Sequence, residues 1–164
     1  MKNKSTAFLV QAAAIAAVYV VLTILFAPIS YGEVQVRVSE ALTVLPFFTP
    51  AAVPGLAVGC LIANILGGGI LPDIIFGTLA TLIGAVLSYY LRENHWLVPV
   101  PPIIANALII PFVLRFGYGV SLPIWMMMLT VGLGEVISCG VLGMLLLFAL
   151  DRYKGKIFRQ EQTF

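Results

Sequence analysis

The sequence predicts an all-α membrane protein, a compact bundle of six transmembrane helices with both termini cytoplasmic. Three observations predict it. Of 164 residues, 61% are hydrophobic and only 10% charged, and mean hydropathy is +1.07. That is more apolar surface than a soluble domain of this size can hide. The apolar residues fall into runs that approach the roughly 20 residues a span needs, with short polar breaks between them. Basic residues gather at the ends and in one loop, whereas Glu33, Glu40, Asp73 and Glu135 fall inside or beside the apolar runs. An ionisable group in lipid is costly, so each of these acids is a candidate for function.

The first span covers 7–29, after Lys2 and Lys4. Its apolar core is too long for a signal peptide and no small-residue cleavage site follows, so it reads as a retained helix. The second, 33–48, is shorter, polar at its start and closed by Pro46 and Pro50. A third run, 52–66, ends at Gly67-Gly68-Gly69, and a fourth covers 72–91. The polar loop Arg92-Glu93-Asn94-His95 leads to the fifth, 99–114. Gly117, Gly119 and Pro123 mark the turn into the sixth and longest, 123–150, and a polar tail covers 151–164. Connections this short make neighbouring helices antiparallel and residues 1–164 one integral membrane domain, in contact with the lipid bilayer.

Lys and Arg in short loops set orientation. Six spans put Lys2, Lys4, Arg92, Arg152, Lys154, Lys156 and Arg159 on one side and leave Arg37 and Arg115 on the other. Both termini are therefore expected in the cytoplasm, with the turns near Tyr31, Gly68 and Tyr118 outside. The net charge of +2 implies no nucleic acid. Cys60 and Cys139 read as packing residues, and His95 as a solvated loop residue. No cofactor and no metal site is expected.

Alternating helix direction brings polar residues from five spans to one zone that opens outward: Arg37 and Glu40, Asn64, Asp73, Asn106 and Glu135. Glu33, Arg37 and Glu40 follow i, i+4, i+7 and so share a face if this stretch is helical. They are either a salt-bridge ladder at a helix end or part of a binding site. Glu135 has no basic residue within helical reach on its own segment. It is either a ligand carboxylate or a protonated acid bonded to a neighbouring helix. Asn64 and Asn106 also suit interhelical hydrogen bonds, and Asp73 suits a helix cap. Tyr31, Tyr118 and Trp125 are belt residues at the interface or stacking partners for a planar ligand.

Small residues Gly55, Gly59, Ala63 and Gly67 recur every four positions, a ridge for close helix packing. Ala12, Ala13, Ala16 and Ala17 form a second small surface, used for internal packing or for docking another membrane subunit. The chain carries no P-loop, so it cannot hydrolyse ATP by that route, and no H-E-x-x-H or G-x-S-x-G motif. It shows no internal repeat of the kind inverted-repeat carriers have.

The stretch Gln35-Val36-Arg37-Val38-Ser39-Glu40-Ala41-Leu42-Thr43 with Pro46, together with Asn106 and the Gly132-x-Gly134-Glu135 of the last span, resembles queuosine-precursor transporters, the QueT family. The resemblance implies a substrate-binding S component of an energy-coupling factor transporter. It also implies partners: a transmembrane scaffold subunit and two cytoplasmic ATPases, with the alanine surface of the first helix against the scaffold. The ligand it implies is a deazaguanine base. Such a base presents a ring N–H and an amino group that one carboxylate can accept in a bidentate pair. An aminomethyl group would add a cation for the second carboxylate, Asn106 could serve the carbonyl, and an aromatic side chain could stack on the ring. Other readings remain: an S component for another vitamin-like molecule, a homodimeric carrier or channel, or an enzyme using Glu40 and Glu135 as acid and base.

Overall fold

A computed structural model describes residues 2–30 and 36–153. Tyr31, Glu33, Gln35 and the basic tail residues Lys154, Lys156 and Arg159 lie outside them. Among the described residues there is no strand. The chain runs through α1 (Lys2–Leu25), a short α2 (Ala27–Ser30), a 3-10 helix (Val38–Phe47), α3 (Ala52–Leu66) and α4 (Leu71–Tyr90). It continues through α5 (Val100–Phe112), which runs on into a π-helical turn (Val113–Gly117). α6 (Ile124–Glu135) passes through a π-helical stretch (Val136–Leu142) into α7 (Gly143–Asp151).

Four helical rods are long and apolar enough to cross a membrane: Lys4–Leu25, Leu71–Tyr90, Val100–Gly117 and Ile124–Asp151. Two are shorter, Val38–Phe47 and Ala52–Leu66. At about 2.0 Å per residue in a 3-10 helix and about 1.5 Å in an α-helix, each measures roughly 20 Å. That is less than the roughly 30 Å hydrocarbon core. The sixth predicted span is one continuous rod, but it widens in its middle.

The second predicted span departs most from expectation. It begins at Val38 and winds as a 3-10 helix, with Pro46 inside it. Arg37 precedes it in an extended conformation, φ −89° and ψ 104°. Arg37 and Glu40 therefore do not share an α-helical face. Residues Ser39 to Pro46 are all buried, because this rod touches α1, α3, α4, α7 and the π-helical stretch. Its hydroxyls and carboxylate thus point into protein.

Close backbone approach explains the small residues. A Cβ on Gly55 would lie 2.7 Å from the Ala12 carbonyl oxygen, and one on Gly59 would lie 2.8 Å from Tyr19 Cβ. α1 and α3 therefore pack on an Ala12/Ala16 and Gly55/Gly59 seam. Gly84 of α4 meets Pro102 of α5 just as closely, at 2.8 Å. Positive φ occurs at Gly68 and Gly119, 74° and 70°, where the chain turns into α4 and toward α6.

Burial is inverted relative to a soluble protein. Leu25, Phe116, Leu129 and Leu133 lie exposed, while Arg37, Glu40, Asn64, Asp73, Asn106 and Glu135 are each 4% exposed or less. Apolar side chains cover the outside, where lipid solvates them, and polar ones turn inward. His95 is half-buried rather than solvated, its ring centroid 4.6 Å from that of Phe47.

Candidate functional site

Two polar groups meet inside the bundle. The first centres on Glu40 of the 3-10 helix and Glu135 at the end of α6. One carboxylate oxygen of each, together with Cys139 Sγ, lie within 4.8 Å of one another. The Tyr19 phenol of α1 donates a hydrogen bond to Glu40 Oε1. The Thr43 hydroxyl donates to the Glu40 carbonyl at 2.6 Å, and Cys139 Sγ lies 3.5 Å from the same carbonyl. Cys139 also lies 3.1 Å from Glu135 Oε2, to which its thiol donates. Thr23 donates to the Tyr19 carbonyl at 2.8 Å and shares a hydrogen bond with Ser39 Oγ at 2.7 Å.

Glu135 sits where α6 gives way to the π-helical stretch, which also carries buried Ser138 and Cys139. Widened turns of this kind concentrate at functional sites. Asn106 of α5 lies beside Glu135. Among the described residues, Glu40 Oε2, Asn106 Nδ2, Asn64 Oδ1 and Ser138 Oγ are buried without a hydrogen-bond partner. Native proteins rarely leave such atoms unmatched. Here two acceptors, a donor and a hydroxyl remain for a ligand to meet.

The second group centres on Asp73 in the first turn of α4. The cap position is Ile70, so Asp73 is not the cap, although a carboxylate in the first turn suits the helix dipole. Arg37 pairs with its Oδ2 at 4.0 Å, and the Tyr118 hydroxyl donates to the same oxygen at 3.0 Å. Ile70 N–H donates to the Tyr118 oxygen at 3.4 Å, and Asn64 Nδ2 donates to the Asp73 carbonyl at 3.4 Å. Burial, and then the nearby Asp73 carboxylate, push the Tyr118 phenol above its ordinary pKa. It therefore stays protonated and remains a donor. The two groups join through the main chain, since Glu40 N–H bonds the Arg37 carbonyl at 3.0 Å.

The sequence-predicted residues Glu40, Glu135, Asn106, Arg37, Asn64, Asp73 and Tyr118 fall into these two groups. Trp125 does not: it is 61% exposed, on the first turn of α6, as an interfacial belt residue is. The alanine surface divides. Ala16 is buried and Ala12 half-buried against α3, whereas Ala13 and Ala17 are exposed. Sequence reasoning missed Tyr19, Thr23, Ser39, Thr43 and Cys139. A weak signal existed in Tyr19 and Thr23, polar residues one turn apart in the otherwise apolar second half of α1. Cys139 serves as a polar contact as well as a packing residue. A separate open groove of about 470 Å³ lies between α4 and α5. Its walls, including Phe76, Phe112 and Phe116, are apolar and exposed, so it offers nothing to read a polar ligand.

The model of the family described as QueT transporter matches residues 9–152. A relative from Lactococcus lactis subsp. cremoris, named queuosine precursor transporter QueT, is 40% identical over 102 residues. That match covers 58% of this chain and 60% of the relative, less than two thirds of its length. No solved structure matches significantly. With four long apolar helices enclosing buried acids and a family match along most of its length, the chain belongs to the QueT transporter family and is a multi-pass protein of the bacterial plasma membrane.

Proposed function

We propose that this protein is the substrate-binding S component of an energy-coupling factor importer. In this reading it captures a queuosine precursor, a deazaguanine base, from outside the cell and is not itself an enzyme. The observation that carries the reading is the convergence of Glu40 and Glu135 on one buried spot, with Glu40 Oε2 and Asn106 Nδ2 buried without a hydrogen-bond partner among the described residues. A guanine-like edge supplies two adjacent donors for a carboxylate and a carbonyl for the amide. The name of the Lactococcus relative supports the same ligand class.

With no P-loop in the chain, uptake draws its energy from partners: a transmembrane scaffold and two cytoplasmic ATPases. The exposed Ala13 and Ala17 of α1 form the docking surface, while Ala12 and Ala16 hold α1 to α3. Both termini face the cytoplasm, and the Asp73–Tyr118 end of the bundle faces outward.

The test joins two measurements on purified protein. Mass spectrometry of the bound small molecule should return a deazaguanine base, and ATPase subunits should copurify from the native membrane. Calorimetry should then show Glu135→Gln weakening that base by about tenfold or more, since truncating a buried charged partner costs roughly 2–5 kcal/mol. Gradient-driven transport by the isolated chain would instead mark a carrier. Unchanged affinity in Glu135→Gln would remove Glu135 from the site.

A further inference from the structure

The open groove between α4 and α5 is walled by Phe76 on one side and by Leu108, Phe112 and Phe116 on the other, with Pro72 and Gly117 at its end. Its volume of about 470 Å³ falls among those of small-molecule pockets, roughly 300–1,000 Å³. The two helices are pinned to each other at two levels. A carbon added at Gly84 would sit 2.8 Å from Pro102 Cα, and one added at Gly117 would sit 2.6 Å from Ile70 Cδ1. These contacts fix the helix spacing, so the groove does not close by α4 and α5 drawing together.

In a bilayer an apolar groove is filled, because an empty one forfeits the dispersion contacts of its walls. Two occupants are available, a partner helix and a lipid chain. Helices that dock in lipid do so over small residues that let backbones approach. This groove presents large exposed side chains instead, and its glycine, Gly117, already faces Ile70. A flexible acyl chain fits between such walls, and a helix does not.

Charge at the end of the groove selects the kind of lipid. Arg115 shares the π-helical turn Val113–Gly117 with three lining residues, Val113, Phe116 and Gly117. Among the described residues it is the sole exposed charge at the end of the bundle that carries Asp73 and Tyr118, where Arg37 and Asp73 are buried. One guanidinium nitrogen donates to the Val120 carbonyl at 3.0 Å, which steadies the side chain. A guanidinium has five N–H donors, and its planar fork matches phosphate oxygens. Tyr118 and Trp125 are exposed at the same end, as aromatic residues at headgroup level are. Arg115 therefore lies at the height of lipid phosphates, and the groove runs from there toward Leu108 and the acyl region.

We propose that the α4–α5 groove is a binding site for one anionic phospholipid, its acyl chain between Phe76 and Phe112 and its phosphate on Arg115. A zwitterionic headgroup carries its own cation, which competes with Arg115 for the phosphate, so a net negative lipid binds better. The site is separate from the buried carboxylates and independent of the substrate reading.

The test is native mass spectrometry of the full chain, titrated in micelles with phosphatidylglycerol or with phosphatidylcholine of the same acyl chains. Wild-type protein should bind one phosphatidylglycerol about fivefold more tightly than phosphatidylcholine, the contribution of one basic residue near a membrane surface. Arg115→Gln should remove that preference, although its amide can still donate to Val120. Arg115→Lys should keep it, because the charge remains. Leu108→Trp fills the groove and should lower both affinities together. Leu129→Trp, at an exposed position of α6 outside the groove lining, should change neither. Loss of the preference in both Arg115 variants would make Arg115 a residue that only holds the turn, and would overturn the proposal. Unchanged lipid binding in Leu108→Trp would overturn it too. A photoreactive side chain in place of Leu108 should capture lipid in native membranes; capture of a membrane protein there would give the groove to a partner helix and also overturn it. If Leu108→Trp does not fold, the lipid ratio in the two Arg115 variants decides.

Discussion

Glu40 and Glu135 bring carboxylate oxygens within 4.8 Å of each other, although each is 3% exposed or less. Two acids this close and this dry favour a ligand that donates. Free guanine should therefore compete with the bound base, and adenine should not. Adenine presents a ring acceptor where guanine has a donor, so the carboxylate would meet a lone pair. Sites built on hydrogen bonds discriminate by factors of roughly 10⁴ or more when the match is lost. A competition assay in which adenine displaces ligand as well as guanine does would sink the carboxylate–edge pairing.

The divided alanine surface lets the proposed binding and docking roles be tested apart. Ala13 and Ala17 are exposed, and their neighbours Ala12 and Ala16 face α3. Ala13→Leu with Ala17→Leu should abolish ATP-dependent uptake and copurification with coupling subunits, while substrate affinity stays nearly intact. Close approach is what small residues contribute in lipid, and a bulky side chain removes it. Affinity and uptake measured on the same variant decide the matter. Loss of both, or of neither, counts against the docking surface.

Gly59→Ala should destabilise the fold by about 1–3 kcal/mol, the usual cost of overpacking. The new carbon would sit 2.8 Å from Tyr19 Cβ and 3.1 Å from the Ala16 Cα. Because Tyr19 holds Glu40, substrate affinity should fall along with melting temperature. Gly132→Ala is the control, since its nearest neighbour, Ala107 Cβ, lies 3.7 Å away, an ordinary contact. Equal melting temperatures for the two variants would contradict the tight α1–α3 seam.

Tyr118→Phe removes the hydrogen bond to Asp73 at 3.0 Å and should speed substrate release by roughly fivefold, the equivalent of about 1 kcal/mol. Stopped-flow dissociation measures it. The phenol donates only while protonated, and its raised pKa extends that form above the ordinary value of 10.0. In the unsubstituted protein the release rate should thus stay flat from neutral to mildly alkaline pH. A rate unaffected by the substitution would detach the Asp73–Tyr118 contact from retention of the substrate.

Sequence alone determined the class of molecule, because hydropathy and its breaks are local properties. The long runs became Lys4–Leu25, Leu71–Tyr90, Val100–Gly117 and Ile124–Asp151, and Glu40, Asp73, Glu135, Asn64 and Asn106 proved buried. The motif around Glu40 also carried the family, now supported by a match over residues 9–152. Tertiary structure decided what each buried polar atom meets. Tyr19 reaches Glu40, Cys139 reaches Glu135, and Tyr118 reaches Asp73 only after distant elements pack. It also wound Val38–Phe47 as a 3-10 helix, turned Trp125 outward, and split the alanines between α3 and the exposed face. Periodicity states which residues share a face of one helix. It does not state which helix that face meets, and a hydrogen bond in a dry interior depends on that neighbour.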